Sequence, residues 1–444
     1  FMTIKLSDHF TYSKLLRFTL PSIVMMVITS VYSVVDGLFV SNLVGELALS
    51  AVNIMFPVSM IVAAVGFMLG SGGGALVART MGEGKQELAN QYFSMIIFTV
   101  LGIGTLFSVL TVVFVEPIAR LAGSSDLLME DCIAYGAVLL GGSAVFMLQV
   151  SFQVFLVVAE QPKLGLVFSI LAGITNMALD YLLIGPLDMG VAGAAWATVL
   201  GYAVGGVLPL IYFFRPRRGA LRLTVPKLYP RQLWEACANG SSELMSNLSS
   251  SLVGVLYNIQ LMRLVGESGV AAYSVMMYVD FAFVAAFLGF NVGSSPIVSY
   301  HYGAENHREL KNVFGKSMAV IAVSSVAMVV LSEALALPLA MAFVGYSPEL
   351  MEMTVHGFRI FALSYLFAGF GIYGSGFFTG LCNGVISALL SFLRSFVFRG
   401  GMVLLLPLFL DLDGIWLAVV AADGLGALVA LAFLWGKRRR YHYW

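Results

Sequence analysis

Leu43-Val-Gly-Glu46 recurs as Leu264-Val-Gly-Glu267, 221 residues further on. The register holds without a gap. Ala51 meets Ala272, Met55 meets Met276, Val58 meets Val279, Gly72 meets Gly293, Val77 meets Val298 and Gly82 meets Gly303. Each copy then enters a charged loop, Gly82-Glu-Gly-Lys and Gly303-Ala-Glu-Asn. The chain is therefore read as two matched halves.

Around these copies lie apolar runs of about 20 residues or more, the length that crosses a bilayer. They fall near 15–40, 48–78, 92–115, 132–158, 163–187, 191–214, 232–264, 269–300, 313–342, 354–380, 385–410 and 414–436. Six crossings per half is an even number, so both halves start on the same side. That makes them parallel repeats about an axis along the membrane normal. The expected fold is an all-α membrane protein of twelve transmembrane helices in two six-helix lobes. The lobes are 1–214 and 232–444, and the basic stretch 215–231, with Pro216, Pro226 and Pro230, links them.

Composition agrees. The 444 residues are 59% hydrophobic and 11% charged, with a mean hydropathy of +0.92, where a soluble domain carries about 25% charged residues. Cys132, Cys237 and Cys382 offer neither a disulfide framework nor metal-ligand spacing. No GxxxxGK[ST] phosphate loop is present, so ATP is not the driver. No enzyme chemistry and no nucleic-acid partner are expected. Nineteen of the 24 Lys and Arg fall in one set of connections, from Lys5 to Arg440, and only Arg120 and Arg263 in the opposite set. This bias predicts cytoplasmic termini.

Acids inside apolar runs are the functional signal, because each costs about 2.5–3.5 kcal/mol at the centre of a span. Asp36 lies about five residues before the outer end of the first run, and Asp180 stands at a similar depth in the fifth. Thr198, in the sixth, lies in the same outer half. Asn176 shares a helix face with Asp180, and Tyr32 with Asp36, each one turn away. Carboxylate, amide and hydroxyl oxygens together suit a small hard cation or a proton. Glu243, Asp280, Asp423 and Glu333 are further buried acids. Each either lines the second lobe's cavity or pairs with Arg359, Arg394 or Arg399. His301, His307 and His356 sit at loop edges and are expected at the interface.

Several segments taken in order resemble the multidrug and toxic compound extrusion (MATE) family. They are Pro21 with Val35-Asp36-Gly-Leu-Phe-Val40, Glu160-Gln-Pro-Lys163, Asn176-Met-Ala-Leu-Asp180 and Gly190-Val-Ala-Gly-Ala-Ala-Trp-Ala-Thr198 in the first half. In the second half they are Pro296-Ile-Val-Ser-Tyr-His-Tyr-Gly303 and Asp413-Gly-Ile-Trp-Leu-Ala418 with Asp423. Gly240-Ser-Ser-Glu243 is most similar to the bacterial branch of the staphylococcal multidrug exporter and DinF-like proteins. The resemblance implies a monomeric antiporter of the bacterial inner membrane. It would expel amphipathic, often cationic, organic compounds in exchange for Na⁺ or H⁺, without another cofactor. It implies a cation site on Asp36, Asn176, Asp180 and Thr198 with a backbone oxygen of Ala194, and Tyr135 and Gln153 as its neighbours. The neutral ligands Asn176 and Thr198 tilt the choice of ion toward Na⁺. The alternative within the same superfamily is a flippase or exporter of lipid-linked precursors or metabolites.

Overall fold

The computed structural model describes residues 2–215 and 219–444, so Pro216, Arg217 and Arg218 of the expected linker lie outside the described residues. The described chain is helical almost throughout. In the first half the long rods are α1 (Tyr12–Leu43), α2 (Glu46–Gly82), α3 (Gln86–Val113), α4 (Met129–Gly141 continued by Ser143–Val158), α5 (Pro162–Ile184) and α6 (Gly190–Phe214). In the second half they are α7 (Pro230–Leu264), α8 (Glu267–Gly303), α9 (His307–Val344), α10 (Pro348–Gly380), α11 (Gly384–Leu405) and α12 (Pro407–Tyr441). The all-α, twelve-helix expectation holds.

Two rods depart from the apolar-run reading. α4 is bent by 50° at Gly142, so its two parts cross only as a pair. α7 is as long as its neighbours but is not apolar enough for a crossing by composition; among the described residues ten single helices and the bent pair are. The cause is its row of polar residues, including Asn239, Ser242, Glu243 and Asn247. Polar side chains at that depth need protein partners rather than lipid, and α7 packs closely on α2 and α11.

The lobes meet through glycines. A Cβ on Gly72 would sit 1.8 Å from the carbonyl oxygen of Ala236, and one on Gly240 would sit 1.9 Å from that of Met68. Across the other pair of helices, Gly293 packs on Thr19 and Gly289 on Ser22 and Ile23. Between them, Gly82 faces the Tyr300 carbonyl and its repeat partner Gly303 faces the Arg79 carbonyl, each 2.0 Å from a would-be Cβ. Side chains are excluded, so backbones touch. All these contacts lie in the half of the molecule nearest the two chain ends.

A strap reinforces this side. The Leu6 amide donates to Glu160 Oε1 (2.8 Å) in the α4–α5 turn. Four residues on, the Phe10 amide donates to Glu309 Oε1 (2.8 Å) at the start of α9. His9 Nδ1 lies 2.7 Å from Glu309 Oε2, and Asn312 Nδ2 donates to the Phe10 carbonyl (2.8 Å). Leu6 and Phe10 are fully buried, so the N-terminal segment ties one lobe to the other. It also covers His301, which corrects the interfacial expectation for that residue. The ring is buried beside the Leu6 backbone.

Candidate cation site and its counterpart in the second lobe

α1, α5 and α6 pack together in the half of the membrane away from the chain ends and carry the expected groups there. Small residues allow the approach. The Tyr32 ring lies on Gly173, where a Cβ would clash at 1.8 Å, and Asn176 lies against Gly201. The Asp36 and Asp180 carboxyl groups face one another within hydrogen-bonding reach. Asp180 is fully buried, and neither of its oxygens, nor Asp36 Oδ1, receives a hydrogen bond. Carboxylates only accept, so two can approach only with a proton or a cation between them. No arginine, lysine or histidine among the described residues pairs with either acid.

The neutral groups are arranged around this pair. Asn176 Nδ2 donates to Thr198 Oγ1 (3.5 Å), and Thr198 Oγ1 donates to the Ala194 carbonyl (3.0 Å). The amide nitrogen is thus occupied while Asn176 Oδ1 carries none of the described hydrogen bonds. Tyr135, fully buried with its hydroxyl unpartnered, lies within electrostatic reach of both acids. Gln153 does not belong to this group. It is buried about five helical turns further along the bent α4 than Tyr135, which corrects its expected place as a neighbour. Tyr202, not singled out from the sequence, does lie near Asp36, its ring stacked on Phe146 at 4.1 Å. Its i+4 relation to Thr198 was the available signal.

The acids of the second lobe have counter-charges. Arg399 reaches both oxygens of Asp423 (3.2 and 3.3 Å), and Arg394 lies 3.9 Å from it. Asp423 is 1% exposed. Asp280 lies beside the Tyr365 hydroxyl and near Arg399, and Glu243 near Arg394. So Glu243, Asp280 and Asp423 are joined to Arg394 and Arg399 in one network around the buried Asp423, the other four being half-buried; Arg359 instead lies near Glu333. A local backbone irregularity makes the double pairing possible. In an α-helix, residues five apart point about 140° away from each other. α11 contains a π-helical turn over Leu393–Phe398, whose i→i+5 closure turns Arg394 and Arg399 toward the same side.

Comparison with known proteins gives one family. The family model described as MatE matches residues 21–182 and 244–401. The multidrug export protein MepA of Staphylococcus haemolyticus (strain JCSC1435) is 20% identical over 435 residues, covering 97% of this chain and 94% of its own. MepA of Staphylococcus aureus (strain MSSA476) is likewise 20% identical, over 430 residues, with the same shares covered. Among solved structures, an outward-facing multidrug resistance MATE family transporter of the MOP superfamily matches with a TM-score of 0.90 at 24% identity, over 97% of this chain and 96% of its own. A MOP superfamily transporter from Pyrococcus furiosus, described as having a reversed polarity of its binding pocket, matches with a TM-score of 0.89 at 24% identity over the same shares. At these identities the structural likeness concerns the fold.

Proposed function

This chain belongs to the MatE family, and from that premise we propose that it is a cation-coupled antiporter exporting amphipathic, often cationic, organic compounds. The setting would be a bacterial plasma membrane, with both termini cytoplasmic. The observation that carries the reading is the Asp36–Asp180 pair, facing and without a basic partner, with Asp180 fully buried and Asp36 half-buried. An acid pair kept in that state without a counter-ion of its own is a receptor for a mobile one. The MepA relatives are named as multidrug export proteins, which supports organic compounds as the cargo. The seam of glycines supports alternating access: the lobes touch on the terminus side, and rocking about it would expose a central cavity to each face in turn.

The geometry supports H⁺ over Na⁺, against the tilt expected from residue types. Thr198 Oγ1 gives its proton to the Ala194 carbonyl and accepts from Asn176, so two expected ligand oxygens are already engaged. One proton between two facing carboxyls satisfies both at once. Na⁺ is favoured only by the free Asn176 Oδ1, and would need Thr198 to turn.

The test is substrate efflux from proteoliposomes under an imposed pH gradient, or an imposed Na⁺ gradient at fixed pH, for the parent and Asn176→Ala. Efflux that follows pH, with Asn176→Ala within about twofold of the parent, is the expected result. Efflux that follows Na⁺ and collapses in Asn176→Ala makes the site a sodium site. Efflux indifferent to both gradients overturns the antiporter reading.

A further inference from the structure

On the terminus side a cavity of about 650 Å³ opens beside the glycine seam, and both lobes line it. α2 contributes Gly72 and Arg79, α7 contributes Glu235 and Asn239, and α12 contributes Lys437 and Arg440. It is far from Asp36 and Asp180, which lie in the opposite half of the membrane. Its charge is unbalanced. Glu235 is shared with Arg231 (3.4 Å), and Glu83, the acid next to Arg79 at 3.7 Å, is shared with Lys85 (3.5 Å). Among the described residues Lys437 and Arg440 have no carboxylate within ion-pair distance. Cys382, also in the lining, adds no negative charge, because burial pushes its thiol up to about 11. Arg79 Nε makes no hydrogen bond and faces Glu83 only at 3.7 Å, and Asn239 Oδ1 accepts nothing although the residue is 5% exposed.

We infer that this cavity binds a phosphate-bearing anion, either free phosphate or the headgroup of an anionic lipid, and that the bound anion clamps the two lobes together on the terminus side. Arg79 offers a planar fork to phosphate oxygens and Lys437 and Arg440 offer charge from the other lobe. Asn239 Oδ1 accepts the hydroxyl of a monoprotonated phosphate or of a glycerol headgroup. The cations come from different lobes and converge only while the seam is closed, so opening the seam dismantles the site. By linkage, an anion that binds only the closed form stabilises it and slows opening. The inference concerns a site separate from the cation pair and stands whatever cargo or coupling ion the protein uses.

The experiment uses the full chain in detergent and in vesicles, with Lys437→Gln/Arg440→Gln as the main variant and Arg79→Gln as a second. Thermal unfolding is followed against inorganic phosphate, with chloride at equal ionic strength as control. It is repeated in phosphatidylglycerol against phosphatidylcholine vesicles. A pair of spin labels across the seam reports its width. The expected result is a saturable stabilisation and a narrower label distance with phosphate, with phosphatidylglycerol, or with both. The half-saturating concentration should rise at least tenfold in the double variant, whose unliganded Tm stays at the parent value. A response to phosphate alone assigns the free anion, and a response to phosphatidylglycerol alone assigns the lipid. No saturable response beyond chloride and phosphatidylcholine overturns the inference, as does a double variant that responds like the parent. If the double variant fails to fold, the same tenfold comparison is made on Arg79→Gln.

Discussion

The two lobes descend from one repeat yet treat buried charge in opposite ways. In the first, Asp36 and Asp180 face each other with only neutral neighbours. In the second, Asp423 is held by Arg399 and Arg394, and Asp280 and Glu243 share those arginines. An acid pair without its own counter-charge must import one, so its state depends on ion supply. A network with built-in cations is complete by itself and holds helices together. On the proposed function, the mobile ion would belong to the first lobe and the second would supply architecture.

The sharpest way to break that assignment is at the acid pair. Asp36→Asn and Asp180→Asn are each expected to lower gradient-driven efflux of cationic dyes by about a hundredfold or more. Thermal stability should hold or improve, since each removes a buried charge of unchanged shape. Parent-rate efflux by Asp36→Asn would sink the site.

The next test reverses the emphasis. Arg399→Gln leaves the Asp423 carboxylate buried with its closer cation gone and is expected to destabilise the protein by about 3–5 kcal/mol. Arg399→Met combined with Asp423→Leu should recover most of that loss, because replacing both partners strands no charge. A stable Arg399→Gln that has lost efflux would move ion handling into the second lobe.

A third, smaller effect concerns the seam that both lobes share. Gly82→Ala puts a methyl where 2.0 Å separates the Cβ position from the Tyr300 carbonyl. The terminus side should then spring open, and a cysteine placed at Ser241 should react with a membrane-impermeant maleimide several times faster. Unchanged labelling would show that the glycines do not set the closure.

The smallest effect calibrates a half-buried acid outside both clusters. Burial pushes the Glu160 carboxyl up, against the opposing hydrogen bond from the Leu6 amide. The folded chain therefore holds that proton more tightly than the unfolded one. Its stabilising share is complete below the ordinary glutamate range and is lost as pH rises through the higher folded value. Glu160→Gln should flatten the decline of Tm between about pH 4 and 7 by a degree or so. An identical slope in the variant would show that the proton is not held there.

Much of this contrast was legible from the chain itself. Apolar run length and the 221-residue repeat carried the fold, because bilayer thickness leaves few choices. Asp36, Asn176, Asp180 and Thr198 could be grouped because helix rise converts residue number into depth. The second lobe resisted the same reasoning. Asp423 had three arginines available, and the choice of Arg394 and Arg399 depends on a π-helical turn that no spacing rule anticipates. Gln153 was misplaced because the family resemblance was followed there against its separation from Tyr135, which helix rise already converts into about five turns. His301 sits at a loop edge in sequence, and only the folded course of the N-terminal strap buries it.

The contacts of Gly82 with Tyr300 and of Gly303 with Arg79 have a mechanical corollary. Each is the repeat-related copy of the other, since Arg79 and Tyr300 are also 221 residues apart, so the pair flanks the axis that relates the two halves, near one membrane face. Motion about a bearing grows with the length of the arm. A tilt of about 10° at the seam sweeps roughly 5 Å at the far side of a bilayer core about 30 Å thick. Under the proposed rocking, the backbone-tight end would be the short arm of a lever and the acid pair would ride on the long one.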